Sequence, residues 1–283
     1  MKASYYPGCS LHGTALEYEE STQAVCQALG IELKELYDWN CCGASSAHST
    51  NEALAIALAA RNLAMAEEAN LDLVVPCAAC FQRFKVAEKH IREEKEPTID
   101  TPYQGKVPIK HLLDFLCEEE PLKVIQKKVK RSLTGLKAVC YYGCLTVRPP
   151  KITDAANCEN PQSMDDLMTL LGAESSPWSY KTDCCGGSLM LSRTDIVVRL
   201  TGKLLQMAKE AGANCVVTAC PLCQANLDTR QSEVSKELGK EYHLPVFYFT
   251  ELLGLALGCE EVGEWSKRHI VDPGDLLKAH NLL

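Results

Sequence analysis

A pattern of five cysteines occurs twice in this chain and accounts for ten of its sixteen cysteines. Each copy has a single cysteine, then a Cys-Cys-Gly triplet, then a Cys-x-x-Cys motif. The first copy comprises Cys9, Cys41, Cys42, Cys77 and Cys80, and the second comprises Cys144, Cys184, Cys185, Cys220 and Cys223. In both copies, 34 residues separate the double cysteine from the Cys-x-x-Cys motif. A chain of this kind is expected to fold as two similar halves, each of which gathers five thiols.

The composition of the chain limits the cellular compartment and the kinds of partner that we expect for these thiols. The longest apolar stretch near the end, residues 252–258, is too short to span a bilayer, and the N-terminus has no apolar signal region. We therefore expect a cytoplasmic protein without a membrane partner. Because cytoplasmic thiols stay reduced, the cysteines are better explained as metal ligands than as disulfides. The net charge of −8 argues against nucleic acid as the main partner.

The repeat extends to the predicted strands and helices. Residues 73–75 and 216–218 look like buried strands before the two Cys-x-x-Cys motifs, and residues 51–69 and 195–211 have helical composition. The tyrosine pair Tyr5-Tyr6 before Cys9 matches the pair Tyr141-Tyr142 before Cys144. This alternation predicts an α/β fold of two duplicated, small, mostly parallel, Rossmann-like Cys-Cys-Gly domains related by pseudo-twofold symmetry.

The predicted domain boundaries follow from the same repeat. The first cluster domain is expected at residues 1–120 and the second at residues 136–283. Residues 121–135 form the expected linker, whose basic run indicates a solvated helix or, as an alternative, a dock for an acidic partner. Each cysteine group follows a strand and precedes a helix. In an open parallel sheet such loops meet at the carboxyl ends of the strands, where ligands bind.

Three kinds of chemistry are open to five clustered thiols. A structural zinc site uses four ligands and leaves one cysteine idle. A thioredoxin-like dithiol would use only Cys-x-x-Cys and leave Cys9, Cys41 and Cys42 without a role. Iron and sulfide suit a larger set of soft ligands better, although the spacing is not that of a ferredoxin. Two iron–sulfur clusters are therefore favoured, with zinc in one half as the minor alternative.

The paired motifs resemble the Cys-Cys-Gly domain family, and nearly the whole chain is similar to the B-type subunit of heterodisulfide reductases. The resemblance rests on both cysteine motifs, on residues 5–9, on Tyr142-Gly-Cys144 with Arg148-Pro149, and on the spacer at residues 159–167. It implies that each motif holds a noncubane 4Fe-4S cluster in which one thiolate bridges two irons. The first cluster would be held by Cys9, Cys41, Cys42, Cys77 and Cys80. The second would be held by Cys144, Cys184, Cys185, Cys220 and Cys223.

The resemblance also implies an activity and partners. The family reduces the mixed disulfide of coenzyme M and coenzyme B to two thiols, by homolytic S–S cleavage between the two clusters. No Gly-x-Gly-x-x-Gly fingerprint is present, so electrons must come from another protein. The family implies two partner subunits, the C-type with iron–sulfur clusters and the A-type with a flavin, fed by a hydrogenase or formate dehydrogenase. The alternatives are a non-catalytic electron-transfer subunit of a lactate, glycolate or glycerol-3-phosphate oxidising complex, or a homologue that reduces a different disulfide.

Those coenzymes are anionic, so an acidic protein must supply local positive charge to bind them. The candidates are basic residues near the motifs in sequence: Arg148, Lys181, Arg193, His12, His48 and Arg83. Six cysteines lie outside the pattern: Cys26, Cys117, Cys140, Cys158, Cys215 and Cys259. Of these, Cys26 and Cys215 are expected in the apolar core. Trp39 and Trp178, which precede the two double cysteines, could shield the sites from solvent.

Overall fold

The computed structural model describes residues 1–44, 47–93 and 102–283, which form two four-stranded sheets with helices around them. The first sheet contains β1 (Lys2–Tyr5), β2 (Glu32–Glu35), β3 (Leu73–Val75) and β4 (Ile109–His111). The second contains β5 (Lys137–Tyr141), β6 (Glu174–Ser175), β7 (Cys215–Thr218) and β8 (Val246–Tyr248). The strand orders are β2-β1-β3-β4 and β6-β5-β7-β8, and every pairing is parallel.

The helices follow the strands in the same order in both halves. Those of the first half are α1 (Gly8–Leu11), α2 (Leu16–Leu29), α3 (Ala47–Thr50), α4 (Glu52–Ala69), α5 (Ala78–Glu93) and α6 (Leu112–Leu116). The connection carries α7 (Glu119–Lys128). The second half has α8 (Pro150–Thr153), α9 (Ser163–Leu170), α10 (Thr194–Glu210), α11 (Pro221–Thr229), α12 (Gln231–Leu238), α13 (Phe249–Leu257), α14 (Val262–Ser266) and α15 (Gly274–Ala279), and a 3-10 turn at Gly187–Leu189.

The matched strand orders confirm the predicted α/β class and the duplication. The strands expected before the two Cys-x-x-Cys motifs are β3 and β7, and they are buried along their whole length. The helices expected at residues 51–69 and 195–211 are α4 and α10. The Asn51 side chain caps α4 by accepting a hydrogen bond from the Leu54 N–H at 2.9 Å.

The tyrosine pairs align differently from the sequence-based prediction. Tyr5 is the last residue of β1 and pairs in register with Val74, whereas Cys140 pairs with the corresponding residue of β7, Val217. Tyr6 is therefore the equivalent of Tyr141. Counting back from Cys9 and Cys144 gives the same match, because each of these tyrosines lies three residues before its cysteine.

The two halves share one apolar core rather than standing apart. Helix α2 of the first half packs against α13 of the second, and α6 packs against α9 in the reciprocal contact. Between α2 and α13 the rings of Tyr18 and Tyr248 stack with centroids 4.2 Å apart, and the Ser21 and Thr250 hydroxyls lie 2.7 Å apart. These contacts bring the carboxyl ends of the two sheets to a common interface.

Helix α7 occupies the segment predicted as a linker at residues 121–135. Its Ile125 is fully buried in the shared core, and Leu133 and Leu136 beyond it are buried as well. Lys127 and Lys128 lie on its exposed last turn, next to the negative end of the helix dipole. The linker helix is thus solvated on one face only. The exact domain boundaries stay a prediction.

Candidate metal centres

Both cysteine groups lie beyond the carboxyl ends of the strands, as the sequence predicts, on the loops and on the first turns of the helices that follow. Cys9 follows β1 and Cys77 follows β3, while Cys144 and Cys220 follow the equivalent strands β5 and β7. The double cysteines lie in the loops after β2 and β6. All sixteen cysteines are free thiols.

In each group, three thiols are buried in the protein, which we call the base of the group, and the other two are more exposed to solvent. Three thiols of each group are buried: Cys42, Cys77 and Cys80 in the first and Cys185, Cys220 and Cys223 in the second. Cys9, Cys41 and Cys184 are exposed, and Cys144 is half-buried. In the base, the sulfurs of Cys42 and Cys80 lie 3.1 Å apart, and those of Cys185 and Cys223 lie 3.6 Å apart. A group held there would be anchored by protein on one side and accessible on the other.

An equivalent tyrosine stands at the centre of each group. The Tyr6 hydroxyl donates to the Asn40 carbonyl at 2.9 Å, and the Tyr141 hydroxyl donates to the Asp183 carbonyl at 2.6 Å. Each carbonyl belongs to the residue before a double cysteine, so the hydrogen bond fixes that turn against the strand. Burial, followed by the charge of the neighbouring thiolates, raises the pKa of both tyrosines, so their hydroxyls remain protonated donors.

The double-cysteine turns supply backbone amides to sulfur. The Gly43 N–H donates to Cys41 at 3.5 Å, and the Gly186 N–H donates to Cys184 at 3.3 Å. Both glycines have φ near +80°, at 78° and 79°, a conformation in which a side chain would be strained. These turns reproduce one geometry twice, which the Cys-Cys-Gly sequence explains.

Within each group, one thiol has a pKa well below that of an ordinary cysteine. Hydrogen bonds from the Cys41 and Cys80 thiols lower the pKa of Cys42 to about 4, despite its burial. The Cys144 thiol does the same for Cys184, whose pKa falls to about 6 with help from the Gly186 and Gly187 amides. Each group thus contains a thiolate at neutral pH, which is the form that binds metal.

The donor sets fit a soft metal centre. All five donors of each group are sulfur, which suits iron–sulfur clusters and zinc and does not suit hard cations. Among the described residues, no group of three or more His, Cys, Asp or Glu side chains is arranged around the position of a single metal ion. Where a cluster is bound, Cys9, Cys41, Cys42, Cys77 and Cys80 would hold it in the first half. Cys144, Cys184, Cys185, Cys220 and Cys223 would hold it in the second.

Comparison with known proteins identifies the repeated unit. A family model described as the cysteine-rich domain (CCG) matches residues 3–85 and again residues 138–228. The chain belongs to the cysteine-rich domain family. Each matched segment includes all five cysteines of one group, so each half is one cysteine-rich domain.

Curated relatives cover almost the full length of the chain. The 8-methylmenaquinol:fumarate reductase membrane anchor subunit of Wolinella succinogenes is 32% identical, over 92% of this chain and 94% of its own length. The B-type subunit of the ferredoxin:CoB-CoM heterodisulfide reductase of Methanosarcina mazei is 29% identical, over 91% of this chain and 89% of its own. An Archaeoglobus profundus protein described as like that B-type subunit is 26% identical, over 92% of both chains. The resemblance to the B-type subunit of heterodisulfide reductases is confirmed.

A solved structure shares the fold of both cysteine-rich domains. The crystal structure of a hypothetical protein from Helicobacter pylori superposes with a TM-score of 0.76 at 11% identity, over 96% of this chain. The match spans 52% of that longer chain. At this identity the likeness concerns the fold alone.

The two cysteine-rich domains approach each other at their Cys-x-x-Cys loops. The Tyr18 hydroxyl lies 3.3 Å from the Pro76 carbonyl and 3.4 Å from the Ala219 carbonyl, and these residues directly precede Cys77 and Cys220. Leu145 and Leu222 pack against the apolar clusters around both cysteine groups. The two groups are therefore neighbours across the pseudo-twofold.

Two of the predicted substrate residues lie together beside the first cysteine-rich domain's thiols. His48 and Arg83 line a cavity of about 280 Å³ with Glu52, Ala55, Ile56 and Val86. His12 contacts the ring of Trp39 at 5.4 Å, and Trp39 in turn contacts Tyr6 at 5.3 Å. The roles of His12, His48 and Arg83 in substrate binding stay predictions.

The other three basic residues have carboxylate partners within the chain. Lys181 is buried and pairs with Asp165 at 2.9 Å, while also donating to the Pro161 carbonyl. Arg148 pairs with Glu159 at 2.6 Å and with the Thr182 hydroxyl. Arg193 is exposed and pairs with Asp195. Lys181 and Glu159, the partner of Arg148, line one cavity, and Arg193 is not among its lining residues. Sequence proximity alone did not reveal these partners.

A larger cavity measures about 680 Å³, and its lining includes Lys181 together with Asp165, Asp166, Glu159 and Trp178. None of its lining residues belongs to a cysteine group. Trp178 itself meets the Tyr141 ring at 6.0 Å and donates to the Cys140 carbonyl at 2.9 Å. Cys140, Cys26 and Cys215 are buried in apolar surroundings outside both groups.

Proposed function

We propose that this chain is the iron–sulfur subunit of an oxidoreductase complex that reduces a disulfide to two thiols. The observation that carries the proposal is the presence of two intact five-thiol groups on neighbouring loops of one core. The relatives named for the B-type subunit of heterodisulfide reductases support this assignment over nearly the whole chain. The substrate in this proposal is the mixed disulfide of coenzyme M and coenzyme B, the heterodisulfide in the name of the Methanosarcina mazei relative.

The cofactor in this proposal is one noncubane 4Fe-4S cluster in each half. Five sulfur donors exceed the four that a zinc ion uses, and a cluster of several irons would have use for all five. When bound, such clusters supply one-electron transfer and soft iron with affinity for thiolate sulfur.

The stoichiometry of the reaction matches a duplicated site. A disulfide takes up two electrons and two protons and yields two thiols, so one one-electron centre in each half would match the two electrons required. In each half the more exposed thiols, Cys9 and Cys41 in the first and Cys144 and Cys184 in the second, would leave the centre accessible on that side. His48 and Arg83, beside the first group, would attract an anionic end of the substrate. The tight loop contacts at Tyr18 hold the two groups in fixed relation, which is the positioning that catalysis between them needs.

Electrons must reach the chain from partner proteins. The relatives belong by name to heterodisulfide reductases, so we propose that two partners of that complex stand upstream. These are the C-type subunit with iron–sulfur clusters and the A-type subunit with a flavin, and a hydrogenase or formate dehydrogenase is the source of electrons. Among the described residues, no helix is long and apolar enough to cross a membrane. We propose a cytoplasmic location for the assembled complex.

The relative from Wolinella succinogenes favours a second candidate function. Its name places it in a complex that passes electrons from a quinol to fumarate, and its identity to this chain is 32%. In that case both centres would only transfer electrons between partner subunits. The substrate would be reduced elsewhere in the complex.

A measurement of thiol release distinguishes disulfide reduction from electron transfer alone. Anaerobically purified protein is supplied with a reduced viologen dye and the coenzyme M–coenzyme B disulfide, and two thiols per disulfide are counted. If the protein reduces the disulfide, the dye is expected to be oxidised steadily while two thiols are released for each disulfide consumed. Glutathione disulfide serves as the control for a non-cognate substrate. Retention of both clusters without thiol release from either disulfide would favour the electron-transfer function.

A further inference from the structure

The position three residues after the last cysteine of each group differs between the halves. It is Arg83 in the first half, after Cys80, and Asn226 in the second, after Cys223. On a helix, residues three apart lie on the same face, so each of these side chains stands beside its own cysteine group. The pseudo-twofold makes the two positions equivalent.

Arg83 brings a cation to the first group. It is half-buried, and its guanidinium donates to the side-chain oxygen of its neighbour Gln82. No carboxylate within ion-pair distance of it is found among the described residues, although Glu52 lines the same cavity. Burial lowers the pKa of Arg83 and the Cys42 thiolate opposes that effect, but an arginine remains charged at neutral pH.

Asn226 is neutral and tied to the backbone of the second group. It is fully buried, and its side-chain N–H donates to the Cys185 carbonyl at 3.0 Å. Its side-chain oxygen has no hydrogen-bond partner among the described atoms. Where the first group faces a positive charge, the second group therefore faces an amide.

A second difference between the halves also makes the surroundings of the first group more positive than those of the second. The residue before the double cysteine is neutral Asn40 in the first half and anionic Asp183 in the second. Both backbone carbonyls accept a hydrogen bond from the equivalent tyrosine, Tyr6 or Tyr141, so the two positions differ only in side-chain charge. The Asp183 carboxylate disfavours negative charge on Cys184. Asp183 is exposed, so solvent screens it more than the half-buried Arg83.

One backbone feature has the opposite effect, because it favours negative charge in the second group. The Ala78 N–H points to the sulfur of Cys220 across the interface, and the equivalent residue Pro221 has no N–H to offer Cys77. An amide is a partial dipole, whereas Arg83 carries a full charge with no carboxylate paired to it. The amide bonds of the two double-cysteine turns are alike and cancel in the comparison. The net difference is a more positive environment for the first group.

We propose that the two centres are unequal, and that Arg83 gives the centre of the first group the higher reduction potential. The proposal rests on the proposed function, in that both groups must hold iron–sulfur clusters. Reduction adds negative charge to a cluster, and a nearby cation stabilises that charge, so net charge around a cluster sets its potential. Electrons that enter the chain then collect at the first centre before the second fills.

The test is a potentiometric titration of the intact protein followed by EPR. The wild type is expected to show two one-electron steps. Arg83→Asn, which copies the second half, is expected to shift the higher step to lower potential and bring the two steps together. Arg83→Lys keeps the charge and is expected to restore most of the separation. Cys185→Ser, which retains only the first centre, is expected to keep the higher step.

A matched control lies on the same helix. Arg92→Asn makes the same substitution twelve residues beyond Cys80 in sequence, which is about 18 Å along α5. That exceeds the Debye length of about 10 Å at ordinary salt. Arg92 also pairs with Glu88 at 3.4 Å, so its charge is already compensated. Both steps are expected to stay at the wild-type potentials in this variant.

The outcomes distinguish this proposal from the proposed function. If Arg83→Asn keeps its iron and both steps stay in place, or the lower step moves instead, the assignment to Arg83 is wrong while the two-cluster function stands. A single two-electron step in the wild type would also contradict it. Protein that holds no iron would overturn both proposals. Whether a disulfide is reduced does not enter the measurement.

Discussion

Gly8 and Gly143 bring the backbone unusually close to the last cysteine sulfur of each group. Their φ angles are +70° and +68°. A Cβ atom on Gly8 would lie 3.3 Å from the Cys80 sulfur, and one on Gly143 would lie 2.8 Å from the Cys223 sulfur. The Cys223 sulfur must therefore move if Gly143 acquires a side chain, whereas at Gly8 the new Cβ would lie nearer the Tyr6 ring, at 3.1 Å, than the sulfur.

Gly143→Ala is expected to lose metal from the second half as well as stability. Gly239→Ala provides the control, because Gly239 has φ +60° and nothing within 4 Å of a new Cβ. Both variants incur a backbone cost of about 1–2 kcal/mol for the left-handed conformation. Thermal unfolding and iron content measure the two effects separately. Equal iron content in the two variants would show that the contact with Cys223 is unimportant.

The ligand assignment is tested by single cysteine changes. Cys42→Ser and Cys185→Ser should each remove the cluster of their own half, roughly half of the iron. Cys26→Ser alters a buried thiol outside both groups and should keep the full iron content. It should still lower the free energy of unfolding by about 1–3 kcal/mol, because a buried hydroxyl loses water without gaining a partner. Iron loss from Cys26→Ser would refute the assignment.

At the scale of the elements, Tyr18 on α2 joins the two Cys-x-x-Cys loops. Tyr18→Phe keeps the stack on Tyr248 and removes the hydrogen bonds to Pro76 and Ala219, at a cost of about 0.5–1.5 kcal/mol. Tyr18→Ala also removes the ring from the interface and is expected to cost about 3–5 kcal/mol. Denaturant unfolding of the two variants measures this difference. Equal losses would mean that the stacked ring contributes little.

The α13 region carries a pH-dependent contact. Burial alone would lower the pKa of His269, but Glu251, whose carboxylate lies 2.9 Å from the imidazole Nε2, raises it to about 9. A raised pKa means that the charged pair stabilises the fold fully below the unfolded value of about 6.5, and that this contribution disappears as the pH rises through 9.

Stability is therefore expected to fall between about pH 7 and pH 9.5. His269→Gln keeps a polar side chain that does not titrate and should flatten this part of the profile. Urea unfolding at a series of pH values, in metal-free protein so that thiol ligation is constant, measures both curves. Parallel slopes for wild type and variant would exclude His269 as the cause.

Element positions could be predicted from sequence where short-range signals determine them. The Leu-Val-Val run of β3 and the helical composition of residues 51–69, which became α4, are both local signals. Aligning the two identical Tyr-Tyr pairs on each other missed their one-residue shift, although the spacing to Cys9 and Cys144 in the sequence carries the correct match, and the strand register shows it directly. The packing of α2 on α13 depends on contacts more than 200 residues apart in sequence, such as Ser21 with Thr250.

At the scale of the whole molecule, the duplicated cysteines predicted two similar halves, and the matched sheets confirm that duplication. What the sequence could not show is which basic residues are already neutralised. Lys181 looks available in sequence, yet the fold buries it against Asp165. Arg83 is left with a charge that no carboxylate among the described residues compensates. The sequence shows that Asn226 stands at the equivalent position, but only the fold shows that Arg83 lacks a carboxylate partner and that Asn226 is fully buried.

The central claim is that each half of the chain holds an iron–sulfur cluster on its five thiols. The most direct test measures iron, acid-labile sulfide and zinc in anaerobically purified protein, with EPR before and after addition of the coenzyme M–coenzyme B disulfide. We expect about eight irons and eight sulfides per chain, with a new paramagnetic signal when the disulfide is added. Zinc in place of iron in either half would contradict the account.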